Sequence, residues 1–342
     1  MAISLLKGVE MPKKILLGVY IPTFNRKSEL KQCLDSFIPQ LSKYNFPIFI
    51  SDNGSTDGTQ ETVMAAKKKY KNIFYKKNPK NLGYGLNFVN VLKMGNTEFA
   101  WMFGDDDKIE DGAIDIIVKN LNKGVSFLQI NSSIFNNDFS NVIQKNLISS
   151  YNDVVFSEGD YPQVLLNAPN GYAGFMAELI VKKELLDIEL SKLNLKTAPL
   201  DFIHSILFFR AIIGKKGICI SRAIVLIRAF NISYSGRPFK VWLSEYPKTL
   251  NLLAPEYQQD VIDKAKRIGA SMLVTAAVKN RESADRVGLT LCKNYVSNAD
   301  NLSLSAKIAL LLLLKMPKSV IKSVIRPMLD AYIRRMQAPQ NR

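Results

Sequence analysis

The sequence predicts an α/β fold: a mostly parallel sheet with helices on both faces, followed by a helical C-terminal region. Three observations carry that expectation. Through about residue 130, short apolar runs alternate with segments whose apolar residues recur at helical spacing. The runs are apolar throughout, as in strands covered on both faces. Each of the first three leads into a turn rich in Pro, Asn, Gly, Ser, Thr or Asp.

Taken in order, Ile15 to Ile21 is a strand, and Leu30, Cys33, Leu34, Phe37 and Leu41 mark one face of a helix. Pro47 to Ser51 is the second strand. Asp57, with Gln60 three residues on, resembles a helix start, and Val63, Ala66 and Tyr70 share a face. Ile73 to Tyr75 is the third strand, followed by a helix through Leu86, Val89 and Leu92. Phe99 to Phe103 is the fourth strand, Ile114 to Leu121 a helix, and Val125 to Ile130 the fifth strand. Asn131 to Asp153, crowded with Asn, Ser and Asp, reads as loop. Later elements are a strand at Met176 to Val181, a helix at about Asp201 to Ile213, and strands at Ile218 to Ile220 and Ala223 to Ala229. From Val241 onward the pattern is helical.

Composition narrows the function classes. The chain has 342 residues, 47% of them apolar, as in an ordinary globular protein. Cys33, Cys219 and Cys292 are few, scattered and not at metal-ligand spacing, which points to a reducing compartment without a disulfide framework. Met1 to Pro12 lacks the apolar core of a secretory signal, and no run reaches the length of a spanning helix. The formal charge of +16 favours an anionic partner. From Asn301 to Arg342 eight Lys or Arg face a single acid, Asp330.

The chemistry-bearing residues gather in the turns after the strands. The first turn, Pro22-Thr23-Phe24-Asn25-Arg26, offers side-chain hydrogen bonds just before a helix N-terminus, where an anion or nucleotide sits well. Read alone it is an ordinary cap. The second, Ser51 to Thr59, carries Asp52, whose carboxylate can accept from a ribose hydroxyl or a base N–H. The third holds Asn81, Gly83 and Gly85. The fourth is Gly104-Asp105-Asp106-Asp107, where three adjacent acids repel one another unless a cation lies among them. In open α/β sheets ligands bind beyond the carboxyl ends of the strands, so four such turns on one edge reinforce each other.

The series IPTFNR, ISDNGSTDGT, NPKNLGYG and FAWMFGDDD resembles the family 2 glycosyltransferases with the GT-A fold, over residues 13 to 130. GFMAELIVKKELL and DFIHSILFF extend the likeness, toward O-antigen sugar transferases of the abequosyltransferase type, to about residue 230. The resemblance implies an inverting enzyme that takes a nucleoside-diphosphate sugar. It places Asp52 at the nucleobase, Pro22, Thr23, Asn25 and Arg26 along the nucleotide, and Asn81 and Gly83 over the pyrophosphate. Asp106 matches the second acid of the family's metal motif, while Gly104 replaces the first; Asp105, Asp107 or a water would complete the set around Mg²⁺ or Mn²⁺. Hard oxygen ligands and a diphosphate suit either ion.

An inverting transfer needs a base for the acceptor hydroxyl. The resemblance puts it at a helix start beyond the acids, where Asp201 is the positional candidate. His204, the only histidine, follows three residues later on roughly the same face and could be base, metal ligand or orienting group. The implied organisation is a GT-A domain over 1–230, with a nucleotide half to about 130 and an acceptor half after it, then a basic helical region over 231–342.

In that region Lys315, Lys318, Lys322 and Arg326 alternate with Ile321, Val324, Ile325 and Met328, an interfacial pattern on a helix. Pro317 and Pro327 mark helix starts or kinks. The expected setting is the cytoplasmic face of an anionic membrane, with a polyprenyl-diphosphate-linked glycan as acceptor in O-antigen or capsule synthesis. A nucleic-acid partner is disfavoured because the basic excess gathers in an apolar-rich tail. A dehydrogenase is disfavoured because no G-x-G-x-x-G follows the first strand. A nucleotidyltransferase and a non-catalytic sugar-nucleotide-binding module are the remaining alternatives. The sequence leaves the sugar, the nucleotide and the oligomeric state open.

Overall fold

A computed structural model describes residues 15–167, 176–229, 240–266, 293 and 304–328. The strands are β1 (Leu17–Thr23), β2 (Ile48–Asp52), β3 (Ile73–Lys77), β4 (Phe99–Met102), β5 (Lys108–Ile109), β6 (Phe127–Phe135), β7 (Val142–Gln144), β8 (Val154–Phe156), β9 (Leu179–Lys182) and β10 (Gly217–Arg228). They form one sheet in the order β3-β2-β1-β4-β9-β6-β10-β5, with β7 on β6 and β8 on β10. The helices are α1 (Lys27–Leu41), α2 (Thr59–Lys69), α3 (Tyr84–Leu92), α4 (Ala113–Leu121), α5 (Tyr161–Asn167), α6 (Lys183–Ser191) and α7 (Ile203–Ala211).

The expected parallel arrangement holds for β3-β2-β1-β4 and again for β6 with β10. Between them β9 runs antiparallel to both β4 and β6, so the sheet is mixed. This reversal has a consequence for the site. The start of β9 lies beside the end of β4 and the first half of β6.

Strand residues alternate between two cores, as the pleat requires. Val19, Ile21, Phe99, Trp101 and Phe103 join the α1 and α4 side chains Leu30, Leu34, Phe37, Ile114 and Ile117. Tyr20, Ala100 and Met102 face the other way, onto Phe88, Val91, Leu186, Ile203 and Leu207 of α3, α6 and α7. Leu253, Tyr257, Val261 and Ile262, beyond residue 230, are buried in that second core, and the Tyr257 hydroxyl donates to the Phe209 carbonyl at 2.7 Å.

Two stretches differ from expectation. Asn131 to Asp153 is not simply loop: β6 continues to Phe135 and β7 pairs with it. Its first polar residues, Asn131, Ser132 and Ser133, are buried rather than solvated. Asn131 Nδ2 donates to the Ile148 and Ser221 carbonyls, and Asn131 Oδ1 accepts from the Ile148 N–H. The two strands expected around residue 222 are one strand, β10, with register shifts near Ala223 where extra residues bulge out. In the C-terminal region a helix over Leu304–Lys315 breaks before Pro317, as expected there, whereas Pro327 stays within a helical stretch that runs through 318–328. Among the described residues no helix is long and apolar enough to cross a membrane.

Candidate active site at the carboxyl edge of the sheet

The turns after β1, β2 and β3 are stitched into one surface. Asn25 adopts a left-handed backbone (φ 50°). Its N–H donates to Ser55 Oγ at 2.8 Å, and its Oδ1 accepts from the Thr56 N–H at 2.9 Å. Asp57 accepts from the Lys27 N–H, so the second turn caps the first helix. Asn53 donates from Nδ2 to Asn81 Oδ1 at 2.8 Å and accepts from the Leu82 N–H. Buried Asn87 of α3 donates to the Ser51 and Thr23 carbonyls and accepts from Ser51 Oγ and Asn78 Nδ2. Asn53 and Asn87 were not singled out from the sequence. An asparagine inside the apolar helix YGLNFVNVL was the available signal for the second.

The residues expected to hold a nucleotide take distinct places. Thr23 ends β1, and Asn25 and Arg26 follow it. Asn81 Oδ1 accepts from Asn53 and from the Gly83 N–H, building the third turn. Asp52 is fully buried, and its oxygens accept from the Ser55 N–H (2.8 Å) and the Tyr75 hydroxyl (2.6 Å).

The fourth turn folds back on itself. A Cβ at Gly104 would lie 2.8 Å from Asp107 Oδ2 and 3.1 Å from Asp106 Oδ1, so a side chain there would have to displace those carboxylates. Arg26 Nη1 lies 3.1 Å from Asp105 Oδ1 and 2.5 Å from Asp106 Oδ2. Burial pushes the Asp105 carboxyl up to about 7, against the pull of Arg26 and with the push of Asp106. Burial likewise raises Asp106, and raises Asp107 well above the usual carboxylate range. The Thr23 hydroxyl, beside Asp105, is buried and makes no hydrogen bond of good geometry.

Asp107 accepts from the Arg228 N–H at Oδ1, at 2.9 Å, while its Oδ2 stays beside Gly104 with Asp106 Oδ1. Arg228 ends β10; its Nε donates to the Asp106 carbonyl, and its other nitrogens reach Asn137 and Gln32. Its guanidinium lies 4.6 Å from the centre of the Phe139 ring, and Lys108 approaches that ring at 4.1 Å. Reversed β9 delivers a further acid. Glu178 is buried, accepts from Ser132 Oγ at 2.7 Å, and is pushed up to about 8 by burial, with the Asp107 charge adding to the rise and the Ser132 hydrogen bond opposing it. Sequence reading missed Arg228 and Glu178, although a lone carboxylate within FMAELIV was a signal for the latter.

Asp201 and His204 lie at the start of α7, which packs against α3. Asp201 sits in the turn Leu200–Phe202 that opens into α7. That turn rests on the first turn of α3, where a Cβ at Gly85 would meet the Leu200 carbonyl oxygen at 2.4 Å. His204 is buried among Tyr84, Phe88 and Phe202, with Nδ1 2.9 Å from the Tyr84 hydroxyl. Burial and then the Asp201 charge raise the Tyr84 pKa strongly.

The chemistry of the donors fits a hard divalent cation. Asp105 and Asp106 present carboxylates to one point now served by Arg26, and the buried Thr23 hydroxyl lies beside Asp105. Among the described residues no three Asp, Glu, His or Cys side chains converge as a metal site.

Residues 18–177 match the family described as Glycosyl transferase family 2. Abequosyltransferase RfbV of Salmonella typhimurium is 38% identical over 106 residues, covering 30% of this chain and 32% of that protein. The Campylobacter jejuni GalNAc(5)-diNAcBac-PP-undecaprenol beta-1,3-glucosyltransferase is 33% identical over 115 residues, 33% of this chain and 36% of that one. The match spans about a third of the length of each of these relatives. Among solved structures, S. aureus TarS 1-349 with UDP superposes with a TM-score of 0.57 at 15% identity, covering 94% of this chain and 88% of that one. Mannosyltransferase PcManGT from Pyrobaculum calidifontis, in complex with GDP-Man and Mn2+, gives 0.52 at 14% identity, covering 89% and 86%. These last two likenesses concern the fold, which is that of the GT-A transferases. Residues 18–177, just under half of this chain, are therefore similar to the glycosyl transferase family 2 domain.

Proposed function

We propose that this chain transfers one sugar, with inversion, from a nucleoside diphosphate to a hydroxyl of a glycan acceptor in bacterial surface polysaccharide synthesis. The observation that carries the reading is the meeting of the acid turn with Arg26 and Thr23 at the edge shared by β1 and β4. Pro22, Thr23, Asn25 and Arg26 line the nucleotide, Asp52 fixes the turn that meets the base, and Asn81 and Gly83 close the pyrophosphate side. Asp105 and Asp106 would hold Mg²⁺ or Mn²⁺, which neutralises charge on the departing diphosphate. Asp107 stays with Arg228 and sets the shape of the turn.

Asp201 accepts the proton of the attacking hydroxyl. It stands at the start of α7, while His204 is engaged by Tyr84 and buried at 7% exposure, which suits a positioning role. The acceptor is a polyprenyl-diphosphate-linked glycan at the cytoplasmic membrane face. Supporting that setting, Ile308, Leu312, Val324 and Met328 are exposed alongside exposed Lys315 and Lys322, while Leu310, Leu314 and Ile321 are buried. Donor hydrolysis with Mn²⁺, assayed across UDP-, GDP-, CDP- and dTDP-sugars, tests the reading. Turnover that ceases in Asp201→Asn supports it, and no turnover with any donor opposes it. Flotation of the full chain on anionic vesicles, compared with a chain ending before residue 301, tests the membrane setting.

A further inference from the structure

Arg26 belongs to one turn and is bonded to another. A single nitrogen, Nη1, lies within 3.1 Å of a carboxylate oxygen on each of Asp105 and Asp106. All three side chains are withdrawn from water, at 18%, 9% and 14% exposure, so screening by solvent is weak. The second nearby guanidinium does not share this role. Arg228 spends its donors on the Asp106 and Asn137 carbonyls and Gln32, against the Phe139 ring.

A divalent cation held by Asp105 and Asp106 and a guanidinium bonded to the same oxygens repel each other. The planar fork of Arg26 matches a phosphate as well as it matches a carboxylate. Arg26 also follows directly on the turn Pro22 to Asn25, at the edge where the donor binds in the reading above.

We propose that Arg26 is a latch: it bridges Asp105 and Asp106 while the metal is absent, and passes to the donor diphosphate when the cation takes those carboxylates. This rests on the metal-dependent reading of the site. It makes cation and donor bind better together than apart, with Arg26 as the residue that couples them.

The test is a Mn²⁺ titration of the full chain at pH 8, followed by electron paramagnetic resonance of free Mn²⁺, without and with UDP, GDP, CDP or dTDP. Without nucleotide, R26Q should bind Mn²⁺ at least about 10-fold more tightly than wild type, and R26K should stay near wild type. The nucleoside diphosphate that binds should tighten Mn²⁺ in wild type by about 10-fold or more beyond its effect in R26Q. A second readout uses the unaltered fold. In wild type labelled with ¹⁵N-arginine, the Arg26 Nε signal, assigned by its absence from R26K, should move when Mg²⁺ is added. Equal Mn²⁺ affinity of wild type and R26Q, or an unmoved signal in a chain that binds the metal, overturns the latch and leaves the metal site standing. No Mn²⁺ uptake by any variant under any condition overturns both.

Discussion

The Tyr84 hydroxyl lies 2.9 Å from Nδ1 of His204, joining the first turn of α3 to the first turn of α7. The Asp201 charge acts on the same hydroxyl. One histidine is thus pinned by the helix that follows the third strand turn, and an acid three residues earlier is set beside it.

This division of labour predicts unequal kinetic losses. Asp201→Asn should lower kcat by about 100- to 10,000-fold with little change in the donor KM, as for removal of a general base. Tyr84→Phe should lower kcat by only about 10-fold, because it loosens the support and leaves the base in place. Steady-state rates at fixed donor and acceptor check both.

Gly104 should resist even a methyl group. The Cβ of Gly104→Ala would press on Asp107 Oδ2 at 2.8 Å and displace the acid turn. A shift near 1 Å at reacting groups costs about 100-fold in rate. The variant should therefore lose turnover while its urea midpoint moves little. Full activity in Gly104→Ala would show that the turn tolerates a side chain.

Arg228 ties β10 to the acid turn through the Asp106 carbonyl. Arg228→Met leaves the part-buried Asp106 carbonyl without that donor, at about 1–3 kcal/mol for a group left unsatisfied. Urea denaturation should show a loss of that order, together with reduced metal uptake. A variant as stable as wild type would contradict the tie.

Glu178 gives a pH dependence with a definite sign. Its folded pKa is raised from 4.5 to about 8, so between these values the folded chain holds a proton that the unfolded chain has released. Folding stability then falls as pH rises across that window, by up to about 1.4 kcal/mol per pH unit. Above about 8 the dependence from this group ends. Glu178→Gln removes it, so the variant should gain on wild type between pH 5.5 and 8 in urea melts. Parallel pH profiles for the two chains would refute the assignment.

How much of this was legible in the sequence depends on range. The turns after β1 to β4 could be read because parallel strands carry their own local signature, an apolar run followed by ligand-type residues. The partners of those turns come from far along the chain. Arg228 lies 121 residues beyond Asp107, and nothing local marks it as the donor to that carboxylate. Glu178 reaches the acid edge only because β9 runs antiparallel, a reversal that its apolar pattern does not encode. Asn131 to Ser133 looked like loop because their polarity suggested solvent. In the fold that polarity is used inside, on Ile148, Ser221 and Glu178. Gly104, read from the sequence as a gap in a motif, is crowded by the Asp106 and Asp107 carboxylates.

Calorimetric titration of UDP, GDP, CDP and dTDP into wild type and Asp106→Asn, with Mn²⁺ and with a chelator, tests the acid turn most directly. The expected result is uptake of one nucleotide by wild type only with Mn²⁺, weakened by about 100-fold or more in Asp106→Asn, as when a buried charged ligand is lost. Nucleotide binding that ignores both the metal and the Asp106 substitution would contradict the account.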